Sequence, residues 1–204
     1  MRAFATALFF TGALAIPLPA AAQGAPPNAE ALIGPAMIAE VRSWLDTEIV
    51  RLSVESQNQR YAGADAARIE ELDAQWRAER EAADKPLIAA TLSSPLSVYL
   101  TRVQARALGL YVEVFVTDDK GLNVGQSSIT SDFWQGDEAK FQNTFPVGAD
   151  AVFIDEPEWD EDLKIWRAQL NLTIADAGGR TPIGAATIEI NLTELMRRSA
   201  VIGG

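Results

Sequence analysis

The fold is decided by the stretch Leu110-Tyr-Val-Glu-Val-Phe-Val-Thr-Asp-Asp-Lys-Gly-Leu-Asn-Val-Gly-Gln-Ser-Ser-Ile-Thr-Ser-Asp-Phe-Trp-Gln-Gly-Asp-Glu138. It opens with β-branched and aromatic residues, which are typical of a buried strand. The turn Asp118-Asp-Lys-Gly121 follows, in which Gly121 can take the positive φ that closes a short hairpin loop. A second strand is predicted from Leu122 to Ser128. The polar and aromatic segment 130–138 follows this strand, and such residues past a strand end often line a small-molecule pocket.

Helices are predicted before this hairpin. A long helix begins at Pro35, and its apolar residues recur at spacings of three and four, namely Ile38, Val41, Leu45, Ile49 and Leu52. Two more helices are predicted after the N-caps Asp65 and Ser94. Pro86 separates them, because proline disrupts a helix interior.

Strands dominate the chain after the hairpin. A short helix is predicted over 139–144, strands over 152–154, 164–175 and 183–192, and a closing helical turn after Thr193. Apolar and polar residues alternate along the strand 164–175, so its two faces differ. Strands that follow one another through short turns pair antiparallel, so the sequence predicts an α+β fold with an antiparallel sheet preceded by helices. The acidic run 155–162 lacks the spacing of an EF-hand loop and is interpreted as a solvated turn.

The first residues have the pattern of a secretory signal. Arg2 precedes an apolar block that ends in prolines and small residues, which predicts cleavage near Ala22. We therefore expect a signal peptide at 1–22, a disordered lead at 23–34 and one domain at 35–204, helical over 35–108 and sheet-forming over 110–195. The expected localisation is the periplasm.

Composition excludes several kinds of function. The chain carries 17 − 28 = −11 formal charges, and −12 without Arg2, so we expect no binding to nucleic acid. It contains neither histidine nor cysteine, which excludes a Ser-His-Asp triad, a thiol nucleophile and a zinc site built from those side chains. No catalytic residue, metal or cofactor is expected. The remaining catalytic hypothesis is a carboxylate-based hydrolase that pairs Asp132 with Asp137 or Glu138.

The segment 112–141, "VEVFVTDDKGLNVGQSSITSDFWQGDEAKF", resembles the core of the extracellular PAS-like sensor domains called Cache or PDC domains. In that family a "vxDxxGxxvxxS" hairpin precedes a polar segment similar to "TSDYWQGDEAKW", and the match here spans Ser97 to Leu195. The resemblance implies a sheet of about five antiparallel strands preceded by a long helix, with ligand-binding loops over one sheet face. The family's amino-acid signature, a Tyr followed by an Arg and then Trp-Tyr, is absent.

The resemblance also implies a ligand site. Its floor would be the polar side of the strand 164–175, with Arg167, Gln169 and Asn171, and Arg167 would grip a carboxylate. A mobile lid would contain Thr130, Ser131, Asp132, Trp134 and Gln135, and Gln126 in the hairpin is a further candidate. The alternative is that this side of the sheet simply faces water, as one face of an antiparallel sheet often does.

These features predict a small-molecule sensing domain that signals through a membrane-bound sensor kinase or receptor. The second hypothesis is a ligand-free docking module for a sensor kinase, and the third is the carboxylate-based hydrolase. The apolar stripe of the 35–60 helix is expected to pack on its own sheet, with a homodimer seam as the alternative.

Overall fold

The computed structural model describes residues 24–202, so the predicted signal peptide at 1–22 lies outside the described residues. The helices are α1 (Ala29–Leu32), α2 (Pro35–Leu45), α3 (Glu48–Arg60), α4 (Ala66–Glu81), α5 (Pro86–Leu92), α6 (Pro95–Arg106), α7 (Ala139–Gln142) and α8 (Leu192–Ile202). The strands are β1 (Tyr111–Thr117), β2 (Asn123–Gln126), β3 (Val152–Ile154), β4 (Glu158–Asp160), β5 (Ile165–Ala175) and β6 (Pro182–Asn191).

All six strands belong to one antiparallel sheet. Its order is β2-β1-β6-β5-β3, and β4 pairs with the first part of β5. In the centre Phe115 lies opposite Thr187, and Thr187 lies opposite Asn171. The predicted α+β class with helices before an antiparallel sheet is confirmed, and the predicted hairpin is the β1–β2 pair with Gly121 at φ +82°.

The main core fills the space between one sheet face and the helices. The apolar side of β5 contributes Ala168, Leu170, Leu172 and Ile174, as its alternation predicts. The helices α2, α3 and α6 cover this face with side chains that are at most 3% exposed, namely Val41, Leu45, Val50, Val54, Leu96 and Leu100. Burial of apolar surface on this face is the main stabilising contribution to the fold.

A second, smaller core joins α4 and α5 to the hairpin. Trp76 of α4 is fully buried and stacks on Phe133, with ring centroids 5.3 Å apart. Leu72, Ile88 and Leu122 complete this cluster. The polar segment after β2 is thus packed against the helical part of the chain.

The predicted long helix from Pro35 is two helices. The chain leaves the helical conformation at Asp46, and Thr47 is extended as the N-cap of α3. This break changes the rotation of α3 relative to α2, so the apolar stripe is not continuous. Val50 and Val54 are buried on the core side of α3, whereas Leu52, placed on the stripe by its spacing, is 61% exposed.

The expected disordered lead also contains structure. Asn28 caps α1, and the buried side chains of Ala29 and Ile33 belong to the main core. Helix α1 contacts α8, which is longer than the predicted helical turn. The apolar surface of α8 supplies a partner for α1 that lies about 160 residues away in the chain, so local composition could not reveal it.

Two further elements differ from expectation. The acidic run 155–162 contains β4, where Trp159 lies opposite Trp166 and the two rings meet edge to face at 5.5 Å. The contact between these two indole rings stabilises the pairing of β4 with β5, although the acidic composition of the run predicted a solvated turn. At the other end of the sheet Asn191 caps α8 through Glu194 N, while Thr193 accepts a hydrogen bond from Trp166 N.

Among residues 24–202 we find no helix that is both long and apolar enough to cross a membrane.

Candidate ligand site on the polar face of the sheet

The second face of the sheet is polar but not open to water. Asn171 of β5 is fully buried, and Glu189 of β6 is 7% exposed. Asn171 donates to Phe153 O at 3.2 Å and accepts from Thr187 Oγ1 at 2.8 Å. Residues from 138–140 and 155–158 cover this side, so the alternative of a simple solvated face is wrong for the centre of the sheet.

A small cleft lies under these covering residues. Its volume is about 180 Å³, and its lining is Glu138, Ala139, Lys140, Asp155, Glu156, Glu158, Arg167, Ala168, Gln169 and Glu189. Two of the predicted floor residues, Arg167 and Gln169, therefore line a cleft. The lining carries five carboxylates and two cationic side chains, or 2 − 5 = −3 formal charges.

Arg167 is the centre of an ion-pair network. Its guanidinium lies 3.0 Å from Glu189 Oε1, 3.3 Å from Glu158 Oε2 and 3.5 Å from Asp160 Oδ2. Three carboxylates thus already surround the cation that was predicted to grip a ligand carboxylate. A fourth carboxylate would meet net repulsion, so this predicted role of Arg167 is not supported by its surroundings.

Glu189 is held in an unfavourable environment for a charge. Burial raises the pKa of its carboxyl, while Arg167 opposes this effect and nearby Glu113 adds to it. A buried carboxylate with a raised pKa in a cleft is a feature that functional sites often show.

Lys140 connects the cleft to the neighbouring segment. Its ammonium group pairs with Glu138 at 2.9 Å and donates to Gln135 Oε1 at 3.1 Å. The same group lies 5.4 Å from the centre of the Phe115 ring on β1, within the range of a cation–π contact. Helix α7 is thereby held against the polar face of the sheet.

The predicted lid is fixed to α4 instead of covering the cleft. The Asp73 carboxylate accepts hydrogen bonds from Phe133 N at 2.8 Å and Trp134 N at 3.1 Å. Trp76 Nε1 donates to Thr130 O at 3.0 Å, and Arg80 donates to Ser131 O. These bonds do not favour the expectation of a mobile lid in this segment.

Trp134 is partly buried and packs against the hairpin turn. Its Nε1 donates to Lys120 O at 2.8 Å, and its ring lies so close to Gly136 that a Cβ there would be 2.3 Å from Nε1. The side chain of Trp134 therefore packs on the outer side of the hairpin turn. The indole is thus part of the hairpin packing, and Trp134 does not line the sheet cleft.

The other predicted residues of this segment bond to one another. Thr130 Oγ1 donates to Asp132 O at 2.7 Å, and Asp132 Oδ1 accepts from Gln135 Nε2 at 2.6 Å and from Ser131 Oγ at 2.9 Å. Gln126 is fully buried beside them. Only Gln135 reaches the cleft, through its bond to Lys140.

Sequence reasoning missed Glu189 and the acidic residues of the covering loops as site residues. Glu189 lies opposite Gln169 in the β5–β6 register, so pairing the two predicted strands would have placed it on the polar face. Glu138 and Asp155 come from irregular segments and Lys140 from the four-residue helix α7, all of which are too short to carry a periodic signal. The described residues contain no group of three or more acidic side chains arranged to hold a metal ion.

Comparisons with known proteins give distant structural matches. No family model matches the chain, and no curated protein matches it. Solved structures that match include sensor domains. One is the ligand-binding domain of the Pseudomonas aeruginosa amino acid chemoreceptor PctC in complex with GABA, at 18% identity and a TM-score of 0.36 over 80% of this chain and 60% of that one. Another is the sensor domain of the Vibrio cholerae histidine kinase DctB, at 14% identity and a TM-score of 0.36 over 79% of this chain and 58% of that one.

A third match is the sensor domain of Escherichia coli DcuS, at 13% identity and a TM-score of 0.39 over 66% of this chain and 94% of that one. These neighbours are Cache/PDC-type sensor domains of chemoreceptors and histidine kinases, the family that the hairpin resembles. The chain spans about 60% of the length of the chemoreceptor domain. Likenesses this distant identify neither a ligand nor a partner for this chain.

Proposed function

We propose that this protein is a periplasmic sensing domain that binds a small molecule and signals through a membrane-bound sensor kinase or receptor, without catalysis. The observation that carries the proposal is the charged cleft over the polar sheet face. A face that needed only to be solvated would not bury Glu189 beside Arg167 under two covering segments, because burying charge costs free energy. Such a cost is typical of sites that bind or react.

The charge of the cleft favours a ligand with a cationic group. Five carboxylates and two cations line it, so an ammonium group gains attraction from the excess negative charge. The volume of about 180 Å³ suits a small aliphatic amine rather than a drug-sized molecule. Arg167 then acts by holding Glu158, Asp160 and Glu189 in place.

Signalling requires that the ligand favour one arrangement of the chain over another. The cleft joins the rigid strands β5 and β6 to α7 and to the loop before β4, so a bound amine contacts both parts. Loop positions that contact a ligand are the least stable parts of such a site and change most on binding. We propose that the membrane-bound partner recognises this change.

A thermal-shift experiment with matched probes tests the ligand proposal. Putrescine and succinate have the same carbon length and opposite charge. At a hundred times its dissociation constant, a ligand adds about 2.7 kcal/mol of stability, or roughly 5–10 °C in Tm. We expect putrescine to raise Tm, Glu189→Gln and Glu158→Gln to reduce the shift, and succinate to have no effect.

The control variant is Glu70→Gln, on the exposed side of α4 and away from the cleft lining. It changes net charge by the same amount and should leave the shift intact. A shift with succinate alone would show that the cleft prefers anions. No shift with either probe or with related amines would favour the ligand-free docking module, which a search for a membrane partner would then examine.

A further inference from the structure

A cavity larger than the sheet cleft lies elsewhere, between α3, α5, α6 and β2. Its volume is about 460 Å³, within the range of about 300–1,000 Å³ that small-molecule sites occupy. It shares no lining residue with the cleft on the sheet. Neither the sequence analysis nor the proposed function uses it.

The cavity has an apolar floor. Leu96, Val124 and Phe133 line it and are at most 7% exposed, so this floor is a fixed part of the two cores. At its edge Leu52 is 61% exposed. A large exposed apolar side chain beside an apolar cavity enlarges the surface that an apolar ligand can bury.

Several polar groups of the lining are already bonded within the protein. Gln57 Nε2 donates to Asp118 Oδ2 at 3.0 Å, Ser53 Oγ donates to Ile49 O, and Thr91 Oγ1 donates to Leu87 O. These groups need no ligand. Their internal bonds leave the inner part of the cavity suited to hydrocarbon.

The charge of the cavity is opposite to that of the protein. The chain has 28 acidic residues, yet the cavity lining includes none of them and has Arg60 as its one charged side chain. Within residues 24–202, Arg60 takes part in none of the ion pairs, and it is exposed at the end of α3. An unpaired guanidinium at the mouth of an apolar cavity suits a carboxylate attached to an apolar body.

We propose that this cavity is a second binding site, which takes an organic anion of the medium-chain monocarboxylate class. The hydrocarbon body lies on Leu96, Val124 and Phe133, and the carboxylate pairs with Arg60. The two sites thus differ in ligand charge. Gln57 and Phe133 also contact the hairpin turn and α4, so an occupied cavity contacts both halves of the fold.

Isothermal titration of the purified protein with octanoate tests the site, with octan-1-ol as the neutral probe of equal length. We expect saturable binding of one octanoate and about two- to fivefold weaker binding of octanol, because an ion pair with an exposed guanidinium contributes a factor of about two to five. Arg60→Gln should weaken octanoate binding about two- to fivefold and leave octanol binding unchanged. Arg51→Gln, on the same helix and outside the lining, is the matched control and should have no effect.

Filling the cavity gives an independent check. Ala90 lines the cavity and is exposed, so Ala90→Trp occupies the space without entering a core, and its Tm verifies folding. We expect it to abolish the binding of both probes while the putrescine shift of the sheet cleft persists. Octanoate binding that survives Ala90→Trp, or octanoate and octanol binding alike, would overturn the proposal. Absence of saturable octanoate binding would also overturn it, and none of these results bears on the amine site.

Discussion

Asp118 is the residue on which the hairpin turn depends. It is fully buried, and its Oδ1 accepts from Lys120 N and Leu122 N, both at 2.9 Å, while Oδ2 accepts from Gln57 at 3.0 Å. Burial raises the pKa of this carboxyl, and these hydrogen bonds lower it. One side chain thus closes the turn and ties it to α3.

Asp118→Ala should destabilise the protein by about 2–4 kcal/mol, because it leaves Lys120 N and Leu122 N without their acceptor, whereas Gln57 Nε2 keeps two backbone acceptors. Urea unfolding followed by tryptophan fluorescence measures this loss. Asp118→Asn keeps one acceptor oxygen and should cost less. A loss under about 0.5 kcal/mol for the alanine variant would show that the turn forms without this carboxylate.

The pH dependence of stability reports on Glu189. Since burial raises its folded-state pKa above the usual 4.5, the folded state binds the proton more tightly than the unfolded chain does. Stability therefore rises as pH falls through the window just above 4.5, and falls as pH rises through it. Relative to Glu189→Gln, the parent protein should lose stability as pH rises from about 4 to 7.

Urea titrations of the two proteins across that pH range measure the difference. The opposite trend, in which the parent protein becomes more stable relative to the variant as pH rises, would mean that Arg167 lowers the pKa of Glu189 by more than burial raises it. In that case Glu189 would be a stabilising partner of Arg167, and its burial would no longer support a functional cleft.

At the scale of elements, strand β2 packs directly on helix α6. A Cβ at Gly125 would lie 2.7 Å from Leu96 Cγ, so the close approach requires glycine. Gly125→Ala should cost about 1–3 kcal/mol through overpacking. Gly63→Ala is the matched control, because its Cβ would meet nothing within 4 Å, and it should change stability by less than about 0.5 kcal/mol. Equal Tm values for the two variants would refute this packing.

The segment 130–138 is a fixed element because α4 holds it. Asp73→Ala removes the acceptor of Phe133 N and Trp134 N, so amide hydrogens in this segment should exchange at least about tenfold faster, while those of β5 and β6 keep their rates. Mass spectrometry of exchanged peptides measures this. Glu70→Ala, exposed on the same helix, serves as the control. Unchanged exchange in 130–138 would mean that Trp76 and Phe133 alone hold the segment.

At the scale of the whole molecule, charge opposes folding. A net charge of −11 on 204 residues repels itself in the compact state, and dissolved salt screens that repulsion. Raising NaCl from about 20 to about 300 mM should therefore raise Tm. A fall in Tm would show that ion pairs, such as those of Arg167, stabilise the fold by more than the repulsion between like charges destabilises it. Differential scanning calorimetry at constant pH measures Tm at the two salt concentrations.

The sequence alone determined the features that depend on neighbouring residues. The alternation along β5 predicted its buried face, Asp118 and Gly121 predicted the hairpin, and Ser94 predicted the start of α6, where it accepts from Ser97 N. Each is a local pattern, because strand alternation, turn conformation and capping involve residues within a few positions of one another.

Only the tertiary structure decided what covers the polar face. Arg167 was predicted, but its partners Glu189 and Glu158 come from two other strands, β6 and β4. The predicted lid packs on Asp73 and Trp76 instead, about 60 residues away in the chain. Such contacts depend on which surfaces of the helices and the sheet pack together in the folded chain. The periodicity of one sequence predicts which face of an element is buried, but it does not predict which other element covers that face.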